Sequence, residues 1–159
     1  MELEHTVSLP NQKSIIMNNL TSKQKGISTE LQCLSAFAEK GITISIPYGD
    51  GARYDFIADI EGYLYKIQCK SASLQNEGVY KIECRSGHSN CTGYVHRNYT
   101  ENEIDFFCTV INQKCYLIPV QETSTSKILR FVPPKNNNKV TLAFEYELDK
   151  QLEKIKMKG

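Results

Sequence analysis

The sequence predicts an α/β fold of the mixed α+β kind, a β-sheet flanked by helices, and three observations carry that expectation. Apolar residues recur at helical spacing between residues 27 and 40. Short runs rich in branched and aromatic residues then follow, separated by Gly-containing turns, which is a strand pattern. From about Ala143 the text again favours a helix, one that ends in a basic tail.

Taken in order, residues 1 to 23 are polar and weakly patterned apart from Ile15, Ile16 and Leu20, so they are expected to be an arm or a short docking segment. Residues 24–159 are expected to form a single domain. Ile27, Leu31, Leu34 and Ala38 share one helical stripe, and Gly41 after Lys40 is a stop signal. ITISIPYG, YDFIADI and YLYKIQCKSA read as three strands, and VYKIECRS as a fourth after a polar turn at Gln75 to Gly78. Gly87 to Asn98 reads as a polar loop and residues 100 to 104 as a helical turn. DFFCTVI and KCYLIPV suit a hairpin turning at Asn112 and Gln113, and ILRFV an edge strand stopped by Pro133 and Pro134.

The chain has 159 residues and 40% hydrophobic content, enough for one compact core. Nineteen basic against eighteen acidic residues give a net charge of +1, so any nucleic-acid surface must be a local patch. No apolar run approaches the roughly 20 residues that span a bilayer, and no basic-then-apolar leader opens the chain. A soluble cytoplasmic protein is the expectation. The six cysteines are expected to be reduced thiols, because Cys33 and Cys69 sit inside patterned elements and Cys108 and Cys115 pair across a hairpin only if register allows.

The turn at Glu61 and Gly62 serves as a ruler. A symmetric turn there pairs Ile60 with Tyr63 and sets Asp55 opposite Gln68. Asp55, Ile57 and Asp59 then share a face with Lys66, Gln68 and Lys70, while Tyr54, Phe56, Ala58, Tyr65, Ile67 and Cys69 share the core side. Directly paired side chains stand roughly 5 Å apart at Cβ, so a carboxylate, an amide and an ammonium cluster. Glu30, one position off the helical stripe, can aim a second carboxylate at the strand ends. Oxygen ligands suit Mg²⁺, with Mn²⁺ as a substitute, and Mg²⁺ promotes phosphodiester hydrolysis. In this reading Asp55 is the principal ligand and Glu30 a direct or water-bridged one. Gln68 orients, the backbone carbonyl of Cys69 adds a possible ligand, and Lys70 stabilises phosphate charge or positions water.

E30, then YD at 54 and 55, then QCK at 68 to 70 together resemble the PD-(D/E)XK nuclease superfamily. The Gln68 variant and the later text RNYTENEIDFF, KCYLIPV and RFVPPKNNN are similar to its small homing endonucleases of group I introns. The resemblance spans roughly residues 24 to 150. It implies a restriction-endonuclease-like core with a central mixed sheet, divalent metal at Glu30, Asp55 and the Gln68/Lys70 strand, and oligomeric binding of double-stranded DNA, as a homodimer or homotetramer. This chain departs from the family pattern in having Tyr54 instead of proline before Asp55, and Gln68 instead of an acid.

Candidate DNA contacts are Arg53, Arg85, His88, His96, Arg97, Asn98 and Lys135, with the Asn136 to Asn138 turn and Lys139 beside the last. Cys84, His88, Cys91 and His96 have a spacing loosely compatible with zinc, although no CxxC pair is present and a polar loop with two incidental thiols is the plainer reading. The favoured function is a metal-dependent DNA endonuclease of homing or restriction type. The alternatives are a Holliday-junction or structure-selective resolvase, and a catalytically silent nucleic-acid-binding module.

Overall fold

A computed structural model describes residues 20–136 and 139–157. Residues 1–19 of the expected arm, and Asn137 and Asn138, lie outside the described residues. The elements are α1 (Ser22–Glu39), β1 (Thr43–Ser45), β2 (Phe56–Ile60), β3 (Tyr63–Cys69), β4 (Ala72–Asn76), β5 (Val79–Glu83), β6 (Arg85–Asn90), β7 (Gly93–Asn98), β8 (Phe106–Ile111), β9 (Lys114–Pro119), β10 (Ser126–Arg130) and α2 (Leu148–Lys156).

α1 starts at Ser22, earlier than the apolar spacing implied, because a capping box closes its first turn. The Gln24 N–H donates to Thr21 Oγ1 at 3.3 Å, and the Thr21 N–H donates to Gln24 Oε1 at 2.9 Å. Past its other end Gly41 adopts φ +72°, a left-handed conformation that suits glycine, and its N–H donates to the Ala38 carbonyl. The face this helix buries is Thr29, Cys33 and Phe37, while Ile27 and Leu31 are exposed. This corrects the expected stripe. Both sets recur at helical spacing, and the ring of Phe37, packed edge-on to Phe56 at 5.2 Å, puts more apolar area into the core.

The main sheet is mixed, in the order β1-β2-β3-β8-β9, with β3 and β8 parallel and the other pairs antiparallel. The ruler at Glu61 and Gly62 holds: Ile60 pairs with Tyr63 and Phe56 with Ile67, over a turn with φ 54° and 83°. Both helices pack on one sheet face, where Cys33, Phe37, Phe56, Ala58, Ile67, Cys108, Leu117, Leu148 and Leu152 form one core. A three-stranded sheet, β10-β5-β4, covers the other face through Ile82, Leu129, Phe107, Tyr116, Ile118 and Tyr146. β8 is thus enclosed on both sides, which is why FFCTVI reads as a continuous apolar run.

Four expectations change. ITISIPYG forms a strand only at Thr43–Ser45. YLYKIQCKSA divides after Cys69, where the chain leaves the main sheet to enter the second as β4. VYKIECRS likewise divides at Cys84, whose N–H donates to the Thr125 carbonyl. The expected loop at 87 to 98 is a regular hairpin, β6–β7, paired from Arg85–Asn98 to Asn90–Gly93.

Candidate active site

Asp55 stands just before β2, one step beyond the last ladder pair, and its N–H donates to the carbonyl of Ile67, the residue that Phe56 already pairs with, so the regular register ends there and the expected Asp55–Gln68 pairing is made by side chains instead of by the ladder. The carboxylate is gripped from β3. Its Oδ2 accepts from the Cys69 backbone N–H at 2.6 Å and from Gln68 Nε2 at 2.7 Å. Oδ1 accepts no hydrogen bond among the described residues. Gln68 presents its nitrogen to the acid and also donates to the Cys69 carbonyl at 3.2 Å, so it holds Asp55 in one orientation. Tyr54 departs from the expected alternation: it packs against the second core, because β2 begins only at Phe56 and the bend before it takes Tyr54 out of the strand's alternation.

Glu30 joins this acid from α1. Its neighbour Thr29 is buried and bonds Ser71 Oγ at 2.9 Å, which ties the helix to the segment just after Lys70. The charge of Asp55 reaches Glu30. Burial, followed by the charge of Asp55, raises the Glu30 pKa above its ordinary value. Burial raises that of Asp55 too, against the opposing pull of the Cys69 and Gln68 hydrogen bonds and of Lys70. Two partly buried acids whose pKa values are both raised form an oxygen donor set that a hard divalent cation would relieve.

Lys70 is pushed the other way: burial lowers its pKa, opposed chiefly by Asp55. Its Nζ donates to the Arg85 carbonyl at 3.0 Å and lies 5.1 Å from the Tyr99 ring centroid. Arg53 covers that ring more closely, at 4.1 Å. The guanidinium is held by Glu103 at 3.2 Å, Ser86 Oγ at 2.6 Å and the Asn98 carbonyl at 3.1 Å. Tyr99 and Glu103 went unnamed among the sequence candidates. The signal for Glu103 was present as T-x-x-E at Thr100, where Glu103 Oε2 accepts from the Thr100 N–H and hydroxyl.

The structure therefore brings Glu30, Asp55, Gln68, the Cys69 backbone and Lys70 together, with Arg53 beside them. Arg85 meets the cluster through its backbone carbonyl, while its guanidinium pairs with Glu83. Arg97 pairs with Glu103 and Asn98 supplies a carbonyl to Arg53, so the base of β6–β7 is tied to the site. His88 and His96 lie farther along that hairpin, exposed. Lys135 is exposed on the bend after β10, and no hydrogen bond or ion pair joins it to the cluster.

The zinc spacing is not borne out. Cys84 is buried where β5 meets β6, whereas Cys91 is exposed at the far turn of the hairpin. His88 pairs with Val95 and His96 with Gly87, so the two imidazoles leave opposite faces of the ribbon. The four side chains do not converge.

The sequence profile of the PD-(D/E)XK endonuclease family matches residues 20–149. Among solved structures, the bacterial homing endonuclease I-Ssp6803I superposes with a TM-score of 0.69 at 23% sequence identity, covering 87% of this chain and 97% of its own. No curated protein matches the chain. The similarity in fold, and a family profile that runs from the cap of α1 to the start of α2 across every residue of the cluster, lead to one assignment: the chain belongs to the PD-(D/E)XK endonuclease family.

Proposed function

We propose that the chain is a divalent-metal-dependent endonuclease that hydrolyses phosphodiester bonds in double-stranded DNA, of homing or restriction type, using Glu30, Asp55, Gln68 and Lys70. The observation that carries this reading is the meeting of two carboxyls and one half-buried ammonium at the end of β3, with the Asp55 carboxylate fixed by Gln68 and the Cys69 N–H.

Those residues fit Mg²⁺, with Mn²⁺ as a substitute. Asp55, Glu30 and the Cys69 carbonyl offer oxygen donors of the kind hard cations take. When bound, Mg²⁺ supplies Lewis-acid polarisation of the phosphoryl group and makes water more acidic. Gln68 keeps Asp55 turned so that one carboxylate oxygen stays free. Lys70, anchored by one of its three donors to the Arg85 carbonyl, stabilises negative charge developing on the phosphate or positions the attacking water. Arg85, His88, His96, Arg97 and Asn98 on the β6–β7 hairpin, with Arg53 bonded to its base, form a basic and polar surface suited to a DNA backbone or groove, and Lys135 a separate contact.

The chain acts, in this proposal, in the cytoplasm as a homodimer or homotetramer, so that two sites reach two strands. Among the described residues no helix is long and apolar enough to cross a membrane. Plasmid DNA incubated with Mg²⁺ and the unaltered chain should be nicked or linearised, and Asp55→Ala and Lys70→Ala should each slow this at least about a hundredfold. Equal products from all three proteins would overturn the catalytic assignment.

A further inference from the structure

Three of the six cysteines, drawn from three different elements, meet inside the core, and a fourth lies beside them. Cys33 of α1, Cys108 of β8 and Cys115 of β9 place their sulfurs within 4.8 Å of one another. The fourth thiol, Cys69 of β3, stands outside that trio of sulfurs but next to it: Cys69 pairs with Cys108 across the parallel ladder and belongs to the same core cluster as Cys33. Cys33 and Cys108 are fully buried and Cys69 nearly so. Cys115 is half-buried and opens onto a cleft of about 230 Å³ whose walls include Ala36, Glu39, Lys40, Glu147 and Asp149.

Two ordinary explanations fit less well. As mere core fillers, thiols would replace Val or Ala, and nothing would draw three sulfurs to one point with a fourth thiol beside them. A disulfide is opposed by register. Cys108 pairs with Leu117, and Cys115 with Val110, so the two cysteines stand diagonally across the ladder. Diagonal neighbours are roughly 7 to 8 Å apart, beyond the usual disulfide span, although the sulfurs approach to 3.3 Å. A metal removes that conflict. Metal–sulfur bonds of about 2.3 Å in a tetrahedral tetrathiolate leave neighbouring sulfurs about 3.8 Å apart.

We infer that Cys33, Cys69, Cys108 and Cys115 form a binding site for one thiophilic metal ion of the Zn²⁺ class, reached through the cleft beside Cys115. Sulfur donors without oxygen or imidazole select soft and borderline ions over Mg²⁺. Binding exchanges thiol protons for the metal, and the protons pass to the buffer. The site joins α1, which carries Glu30, to β3, which carries Gln68 and ends just before Lys70, so the metal acts as a structural pin between the elements that hold the candidate active site. This inference stands independently of the nuclease reading.

The test uses the full chain, reduced with a thiol-free phosphine, stripped by a chelator and titrated with Co²⁺ as a spectroscopic probe. Sulfur-to-cobalt charge-transfer absorption and the visible bands of tetrahedral cobalt are expected to saturate at about one equivalent of thiolate-bound metal, all bleached by Zn²⁺. Cys115→Ala should abolish the signal, while Cys91→Ser and Asp55→Asn should keep it. In the unaltered chain Zn²⁺ should also slow alkylation of Cys115 without slowing that of Cys91, a readout that survives even if a cysteine variant does not fold. Three results would overturn the site: no thiolate absorption from the folded, reduced protein; a signal that persists in Cys115→Ala; or a signal lost in Asp55→Asn.

Discussion

The two hairpins nearest the candidate site are built on opposite terms. β2–β3 has one face buried, and Phe56, Ala58, Ile60 and Ile67 commit every alternate residue to the core. A one-residue slip would expose that whole set, so the register that sets Asp55 beside Gln68 is firmly held. β6–β7 has no such constraint. All six residues of β7 are exposed, and its contacts with the rest of the chain gather at its base, where Arg53 bonds Ser86 and Asn98. A site that must be positioned to a fraction of an ångström sits on the first kind of hairpin, and a surface that must follow a partner suits the second.

The largest effect expected from this contrast is on stability. Phe56→Ala, which empties a fully buried ring site, should cost about 3 to 5 kcal/mol in chemical denaturation. A loss well below that range would mean that β2–β3 is not the rigid partner. Next, Asp55→Asn should lower Mg²⁺-dependent cleavage at least about a hundredfold while the protein still binds DNA. Unchanged cleavage would detach the chemistry from the hairpin that positions it.

The carboxyls sharpen the same point through pH. Glu30 and Asp55 have raised pKa values in the fold, so the metal-free native state holds protons that the unfolded chain releases. Their contribution is complete below the ordinary carboxylate range and is lost as pH rises through the raised values. Glu30→Gln should therefore raise the melting temperature of the metal-free chain near neutral pH and leave it little changed in strong acid. Mg²⁺ affinity should follow the reverse course and increase with pH across that window. A Glu30→Gln shift that is the same at all pH values would contradict this account.

Smaller effects belong to β6–β7. His96→Ala should weaken DNA binding about evenly across sequences if it meets the backbone, and salt titrations of binding would show it. Tyr94→Ala should move stability by no more than about 0.5 kcal/mol, since its exposed ring packs only against His96 and Gly87 within the hairpin. A large stability loss there would erase the distinction between the two ribbons.

Legibility in the sequence followed the same division. The Glu61–Gly62 turn, the alternation through Phe56, Ala58 and Ile60, and the hairpin turn at Asn112 and Gln113 are local signals, and each appears in the structure as read. The polar text from Gly87 to Asn98 carries no burial alternation, so its pairing was invisible. The helix offered two stripes of equal period, and only the sheet beneath could choose Thr29, Cys33 and Phe37.

The sequence alone determined the element types over most of the chain, the register of β2–β3, and hence the pairing of Asp55 with the QCK segment, because these depend on side chains a few positions apart. The tertiary structure decided which face of α1 turns inward, that Tyr99 and Glu103 brace Arg53 beside Lys70, and that cysteines as distant as 33, 108 and 115 share one spot with Cys69 beside it. The parallel pairing of β3 with β8 and the docking of α1 join segments tens of residues apart, and no period within a single segment encodes which distant neighbour it will meet.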